Sequence, residues 1–422
     1  MTTKRTLELP EGDVVAGIDT HEDTHTIALL DRVGAPVATA TYRADPDGYR
    51  RAADFITSHG TCAAVGVEGT NSYGAGLRKH LQSRGLLVLE VLRPKRQVRR
   101  MDGKSDPIDA AEAARSVLAG RGLSVPKDGN GHAEALRFLD AARAQLVRAM
   151  TALSNSAGDM LVTAPEAFRS RWGRGRAADA LKRISSTTAR GDGIVEEALM
   201  AALKAMARQH RELDRQARQL ERRMREILDE HAPASLTIYG AGTITAARLV
   251  AAAGDNPDRI RDEAAFAKLC GACPIPASSG RTNRHRLNRG GNRNANSALH
   301  RIALVRMSHP HPRTKDYIAR KRAQGMGTKE IMRCIKRAIC REAYRAICHP
   351  ERVQPPPDGG ELRSLRESKG ILQKHAAHAL GVSQSRISEI ERDANKRPEL
   401  AERYQQWLQN HPQPATHATC TK

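Results

Sequence analysis

Four acidic residues lie where a folded chain would place a catalytic metal site. Asp19 ends the apolar run VVAGID, and Glu68 follows a second apolar run, CAAVGV; both runs are typical of buried strands. Asp106 and Asp109 are three residues apart at a predicted helix start, with Asp106 as N-cap and Pro107 as first helical residue. Carboxylates this close repel unless a cation neutralises them, and oxygen ligands suit Mg²⁺ or Mn²⁺. The pattern predicts a divalent-metal site, although each acid alone is also typical of a solvated strand end or a helix cap.

The elements around these acids predict a mixed sheet with helices packed on it, in an α/β domain over residues 13–125. A hairpin-led sheet is followed by βαβ units, which combine antiparallel and parallel strands. Strands are predicted at 14–19, 27–30, 36–42, 62–67 and 86–92, and helices at 47–58 and 73–84.

Two long helices, 133–165 and 196–232, are predicted in a helical region that spans 133–232. The second carries apolar residues at alternating steps of three and four, the pattern of a coiled-coil seam. The seam favours either a hairpin within the chain or a dimer arm. Its residues are Leu203, Met206, His210, Leu213, Ala217, Leu220, Met224 and Ile227.

The charge of the chain indicates a polyanionic partner. The 422 residues include 69 Lys or Arg and 47 Asp or Glu, a net charge of +22. Residues 279–349 alone contain 18 Lys or Arg against three Asp or Glu, a net of +15. Such a concentrated excess is typical of nucleic-acid binding. Aromatic residues make up 3%, so phosphate contacts rather than base stacking should dominate.

Composition also argues against several classes of protein. The sequence has no apolar run of the ~18–20 residues that a membrane span needs, and its N-terminus lacks the apolar core of a signal peptide. Its seven cysteines are scattered, which favours a reducing compartment. We therefore expect a cytoplasmic protein that does not bind membranes.

The acidic set resembles that of the RuvC-like, RNase H-type nuclease fold. More closely, it resembles the DEDD transposases of the insertion sequence one-hundred-and-ten family and their Piv-type invertase relatives. The matching motifs are Gly17–Asp19 (GID) and Lys104–Ala110 (KSDPIDA). The resemblance implies that Asp19, Glu68, Asp106 and Asp109 are catalytic metal ligands.

A second resemblance to the same family lies in a predicted, mainly α-helical domain at 233–350. Gly271–Pro274, Ser279-Gly280 and Arg289–Asn292 follow the family pattern loosely, with Ala272 in place of Leu and an extra glycine at 291. The family's nucleophilic serine then falls on Ser279, with the adjacent Ser278 as the alternative. Arginines around it would bind phosphate and offset developing charge. These are Arg281, Arg284, Arg286, Arg289 and Arg293.

The C-terminal region adds a module to that pattern. After a linker at 351–360, the segment Leu362–Arg392 within the domain 361–409 resembles a Cro/Xre-type helix-turn-helix. Gly381 would supply the turn and Ser383 the cap of the recognition helix. The residues predicted to face the DNA groove are Gln384, Ser385 and Arg386.

The resemblance implies a bacterial, nucleoid-associated DNA transposase that cuts and rejoins DNA through a serine, assisted by the acidic site. It further implies a structured guide RNA that pairs with element ends and target DNA. It also implies a homo-oligomer, dimer or tetramer, in which the acidic domain of one subunit meets the serine domain of another. Two alternatives stay open: a metal-dependent, structure-specific nuclease that uses water, and a helix-turn-helix transcriptional regulator with an inactive nuclease-like domain.

Overall fold

The computed structural model describes residues 10–91, 105–277, 285–286, 288, 290–308, 312–353, 357–392 and 398–411. The chain divides into two compact units, Met1–Gly129 and Asn130–Lys422. Helices dominate the second unit, and the strands of the first form one mixed sheet. Within these described ranges, the long helices are all too polar to serve as bilayer spans.

The first unit is a six-stranded mixed sheet flanked by helices. The strands follow the order β3-β2-β1-β4-β5-β6; β1 pairs in parallel with β4 and β4 with β5, and the other pairs are antiparallel. The predicted mixed sheet is therefore confirmed. Its elements are β1 (Val14–Thr20), β2 (Thr24–Asp31), β3 (Pro36–Arg43), α1 (Pro46–Ser58), β4 (Cys62–Val67), α2 (Ala75–Ser83), β5 (Val88–Val91), α3 (Asp106–Leu118) and β6 (Leu123–Ser124).

Strand β1 is buried along its whole length because helices cover both faces of the sheet. Alternate residues point to opposite faces. Ala16 and Ile18 pack in a core with residues of α1 and α2, whereas Val15 packs in a second core with residues of α3. This two-sided burial explains why the strand is a continuous apolar run rather than an alternating one.

Gly17 sets how closely α3 approaches β1. A β-carbon at this position would lie 2.1 Å from the carbonyl oxygen of Ala110 and 2.2 Å from the backbone nitrogen of Ala114. Only glycine leaves room for the helix backbone to rest on the strand at this distance. The first turn of α3 is thereby held beside the end of β1.

The second unit begins with an antiparallel helical hairpin. Helix α4 (His132–Thr163) and helix α7 (Gly193–His231) pack along each other, with α5 (Glu166–Trp172) and α6 (Ala177–Ser185) at the turn. Residues near the start of α4 share a core with the end of α7, and Leu161 near the end of α4 shares a core with Leu203. Of the two interpretations of the seam, the structure shows the hairpin within the chain.

The remainder of this unit is built of shorter helices around two further cores. One core joins α8, α9, α10 and α12, and the other joins α13 to α16. The elements are α8 (Thr243–Ala253), α9 (Glu263–Leu269), β7 (Ile275–Pro276), β8 (His285–Arg286), α10 (Arg293–Ser308), α11 (Pro312–Ala323), α12 (Thr328–Cys348), α13 (Gly359–Ser368), α14 (Gln373–Leu380), α15 (Gln384–Glu391) and α16 (Pro398–Asn410).

Several element boundaries differ from the sequence prediction by a few residues, and two of the differences lie at helix N-caps. Helix α3 begins at Asp106, so Ser105 is the N-cap, in extended conformation, and the predicted cap at Asp106 is wrong by one residue. Helix α13 begins at Gly359, inside the predicted linker, because the side chain of Asp358 accepts a hydrogen bond from the backbone N–H of Glu361. At α3, Ser105 and Asp106 are comparably good caps, and the sequence does not rank them.

Candidate functional site

The ends of two adjacent parallel strands bring the first two acids together in the sheet. Asp19 is the second-last residue of β1, and Glu68 directly follows β4. The backbone N–H of Glu68 donates to the carbonyl of Ile18 (3.1 Å), and the hydroxyl of Thr20 donates to the carbonyl of Glu68 (2.7 Å). Both carboxylates are buried, with 7% exposure for Asp19 and 2% for Glu68.

The first turn of α3 supplies the other two acids. Asp106 is half-exposed and Asp109 is buried. Both lie at the helix N-terminus, where the helix dipole favours negative charge. Because Gly17 lets α3 rest on β1, this turn lies beside the carboxylate of Asp19.

A histidine that the sequence analysis did not single out completes the cluster. The Nε2 atom of His21 lies 3.2 Å from Oδ2 of Asp19 and 3.4 Å from Oδ1 of Asp106. One ligand atom from each of these three residues lies within 4.8 Å of the others. Among the described residues, the carboxylates of Glu68 and Asp109 lie outside this closest group. The only sequence signal for His21 is its position two residues after Asp19.

The electrostatics of the cluster favour an added positive charge. Burial raises the pKa of Asp19 above its ordinary value of 3.8. The imidazole of His21 opposes that rise, while the negative charges of Asp109 and Asp106 add to it. A carboxylate whose ionisation is resisted by burial and by two neighbouring acids gains most from a cation.

The residues present fit a divalent metal ion. Two carboxylates and one imidazole are within common reach, which satisfies the minimum of a metal site whose remaining positions are left to water or substrate. Carboxylates suit Mg²⁺ and Mn²⁺ alike, whereas an imidazole ligand shifts preference towards the transition metal.

The predicted nucleophile region is only partly within the described residues. Ser279 and the alternative Ser278 lie outside them, as do three of the five predicted phosphate-binding arginines, Arg281, Arg284 and Arg289. The other two are described: Arg286 is exposed on β8, and Arg293 is exposed at the start of α10.

The C-terminal helices have the geometry of a helix-turn-helix. Helix α14 is capped at its C-terminus by Gly381, whose φ of +66° lies in the left-handed region that favours glycine. Ser383 is the N-cap of α15 by position, but its hydroxyl contacts the hydroxyl of Ser385 (2.9 Å) instead of a helix N–H, so the predicted capping bond is not formed. The three residues predicted to face DNA are all exposed at the start of α15: Gln384, Ser385 and Arg386.

A buried ion pair holds this module together. The guanidinium of Arg366 donates to both carboxylate oxygens of Glu391, at 2.6 and 3.0 Å. The same carboxylate accepts from the hydroxyl of Tyr404 (2.6 Å) and from the amide of Gln373 (2.7 Å). Burial alone would raise the pKa of Glu391, but these hydrogen bonds outweigh it and hold the pKa below its ordinary value of 4.5.

Comparison with known proteins gives consistent matches along the chain. Residues 16–164 match a family model for DEDD-type transposases of the IS110 group, described as Transposase. Residues 234–319 match the Transposase IS116/IS110/IS902 family, and residues 362–406 match a helix-turn-helix model. The chain is also 26% identical over 322 residues to the mini-circle putative transposase for IS117 from Streptomyces coelicolor, an alignment covering 64% of this chain and 78% of that protein.

The mixed sheet with its acidic cluster, the helical second unit and the C-terminal helix-turn-helix thus define a DNA transposase with an appended DNA-binding module. The chain belongs to the IS110 family of transposases.

Proposed function

We propose that this transposase cuts and rejoins DNA through the hydroxyl of Ser279, assisted by a divalent cation at the acidic site. The observation that carries the proposal is the convergence of Asp19, Asp106 and His21 within metal-ligand distance, with Asp109 and Glu68 beside them. The sheet order and the placement of the acids support a RuvC-like architecture for the N-terminal domain.

The four acids would have different roles in binding a cation. Asp19 and Asp106 would be direct ligands, while Glu68 and Asp109 add buried negative charge around them. A divalent cation bound there supplies Lewis acidity to a phosphate oxygen and stabilises the charge that develops in phosphoryl transfer.

The serine would divide strand exchange into two steps. The Oγ–P bond of a phosphoserine forms as the P–O bond to the leaving strand breaks, and the released strand ends in a hydroxyl. Attack by a strand hydroxyl on the phosphoserine reverses these changes and restores Ser279. The energy of the phosphodiester bond is thereby conserved for rejoining. Arg286 and Arg293, together with Arg281, Arg284 and Arg289, would hold the phosphate.

We further propose a guide RNA that reads the element ends and the target by base pairing, so that the protein recognises shape and backbone. The low aromatic content of 3% supports backbone recognition. The helix-turn-helix would add sequence-specific DNA binding, since Gln384, Ser385 and Arg386 are exposed at the start of α15.

The experiment compares the purified protein with Ser279→Ala, Ser278→Ala and Asp106→Asn, each with element-end DNA and its co-purifying RNA. A covalent protein–DNA adduct that survives denaturation should form with the parent protein and Ser278→Ala. It should be absent with Ser279→Ala and Asp106→Asn. Cleavage without an adduct by Ser279→Ala would identify a nuclease that uses water.

A mixture of two inactive variants tests the proposed oligomer. If the acidic site of one subunit serves the serine of another, mixing Ser279→Ala with Asp106→Asn restores part of the adduct. A mixture as inactive as its components would show that each subunit works with its own two sites.

A further inference from the structure

A basic cleft in the second unit combines Arg286 and residues 271–274, which the family resemblance covers, with side chains of α10, α11 and α12 that it does not assign. It is lined by residues 271–274, by His285, Arg286 and Asn288, and by one side of α12 between Glu330 and Glu342. Its volume is about 1100 Å³, at the upper limit of ordinary small-molecule pockets. Seven Lys or Arg side chains line it against two Glu, so its ligand should be an extended anion.

Most of the cleft's cations already have carboxylate partners. Arg306 makes a two-point contact with Glu342, at 2.9 and 2.5 Å. Glu263 of α9 contacts both Arg337 and Arg341, the latter at 3.2 Å. These pairs shape the walls of the cleft and leave part of the arginine charge compensated before any ligand arrives.

Lys336 differs from these arginines because its partner is neutral. It is 9% exposed, and its ammonium donates to Oδ1 of Asn296 at 2.7 Å. In the part of the chain that the structure describes, no carboxylate oxygen lies within ion-pair distance of this ammonium. Burial lowers the pKa of Lys336 below its ordinary value of 10.5, opposed by the nearby thiol of Cys340. A buried cation without a counter-charge is stabilised by an anionic ligand.

Asn296 ties this lysine to the segment that leads to Ser279. Its amide nitrogen donates to the carbonyls of Cys270 and Gly271, both at 2.9 Å. Two carbonyl acceptors require the NH₂ group on that side, so the amide oxygen must face Lys336. The lysine, the amide and the start of the 271–277 segment therefore form one connected group at the cleft wall.

We propose that the basic cleft binds the phosphodiester backbone of a DNA strand, and that Lys336 is the cation that meets a phosphate of that strand. The inference rests on the proposed function, because it places the bound strand beside the segment leading to Ser279. It concerns binding alone and needs neither the metal nor the cleavage step.

Two cysteines of the cleft allow binding to be measured at the site itself. Cys273 and Cys334 line the cleft and are half-buried. The full-length protein is treated with N-ethylmaleimide, with and without a short single-stranded DNA, and the modified cysteines are quantified by mass spectrometry. Because both thiols line the cleft, their protection reports binding at the cleft itself.

Substitution of the lysine supplies the main comparison. DNA should protect Cys273 and Cys334 in the parent protein, in Lys336→Arg and in the matched control Lys329→Met, an exposed lysine on the same helix that does not line the cleft. Lys336→Met should lose the protection. In fluorescence anisotropy its DNA affinity should fall several-fold, and the salt dependence of log K should weaken by roughly one unit of slope.

Several results would overturn the inference. DNA that leaves both thiols of the parent protein reactive overturns it whether or not Lys336→Met folds. Equal protection in parent and folded Lys336→Met, or protection by RNA of the same sequence but not by DNA, does so as well. Ser279→Ala separates the two proposals: retained protection with loss of the adduct supports both, whereas retained protection with an intact adduct contradicts only the serine mechanism.

Discussion

Two buried carboxylates in this protein have opposite electrostatic environments. Asp19 lies near two other acids, and burial raises its pKa. Glu391 is equally buried, but an arginine, a tyrosine and a glutamine donate to it, and its pKa is lowered. The chain satisfies the second charge internally, whereas around the first the imidazole of His21 offsets only part of the effect of burial and of the neighbouring acids. The difference distinguishes an acid that stabilises a fold from acids that are arranged for a ligand.

The largest expected effect comes from breaking the satisfied pair. Arg366→Met should destabilise the helix-turn-helix by about 3–5 kcal/mol, because it leaves Glu391 buried and uncompensated. Urea unfolding followed by the fluorescence of Trp407, in a Trp172→Phe background, measures this region alone.

The matched control for that substitution is Arg363→Met on the same helix. Arg363 pairs with Glu367 on the surface, where the two side chains are 59% and 50% exposed, respectively. We expect a change below about 0.5 kcal/mol. Equal effects of the two substitutions would show that the buried network adds nothing specific.

A second prediction disturbs the acidic site through its support. Gly17→Ala should cost at least about 1–3 kcal/mol, because the added methyl group meets the backbone of α3 and no side chain can move aside. Metal binding should weaken as well, since α3 carries Asp106. Thermal unfolding and Mn²⁺ titration measure the two effects.

Gly158→Ala in α4 is the matched control, because its methyl group makes only an ordinary contact with the β-carbon of Ala177, at 3.5 Å. It should leave metal binding unchanged and stability unchanged or slightly raised. Wild-type stability and metal affinity in Gly17→Ala would show that α3 is not held against β1.

The third prediction is that a substitution at a buried polar residue raises stability, whereas such substitutions usually lower it. In metal-free protein, Asp19→Asn should raise stability by about 0.5–2 kcal/mol, because the cost of a buried charge near two other acids disappears. Thermal unfolding in the presence of a chelator measures this change.

Asp31 offers the contrasting acid on the same sheet. Its carboxylate accepts from the backbone N–H groups of Val33 and Ala35, at 3.0 and 2.8 Å, so Asp31→Asn should lower stability. If both substitutions destabilise the protein, Asp19 is a satisfied structural acid and the comparison with Glu391 fails.

The smallest expected effect is a pH dependence from His25, on the sheet face opposite Asp19. This histidine is buried and stacked on Tyr49, and burial lowers its pKa below 6.5. The unfolded chain therefore binds the proton more readily, and stability is lost as pH falls below about 6.5. His25→Phe should flatten this loss, which cannot exceed about 1.4 kcal/mol per pH unit for one proton.

Unfolding measured between pH 7.5 and 5 provides the check. The control is His300→Gln, at an exposed histidine, which should keep the parental dependence of stability on pH. An unchanged slope in His25→Phe would assign the acid sensitivity to other groups.

The sequence predicted the elements that carry the acids because their signals are local. The apolar runs of β1 and β4 are continuous and the seam of α7 is periodic, and the structure confirms all three. His21 escaped prediction because its role depends on the loop after β1 turning its ring back towards Asp106. The contact between Lys336 and Asn296 joins residues 40 positions apart, which no local pattern encodes. The sequence shows Gly17 only as part of a motif. Glycine is required there because α3 packs closely against β1, which is a tertiary contact.

The most direct test of the account is a Mn²⁺ titration followed by electron paramagnetic resonance. The wild-type protein should bind Mn²⁺ and gain thermal stability from it. Asp19→Asn and Asp106→Asn should each weaken binding at least about tenfold, while Asp31→Asn and Arg363→Met should bind like the wild type. Undiminished Mn²⁺ affinity in both Asp19→Asn and Asp106→Asn would contradict the claim that these acids are arranged for a cation.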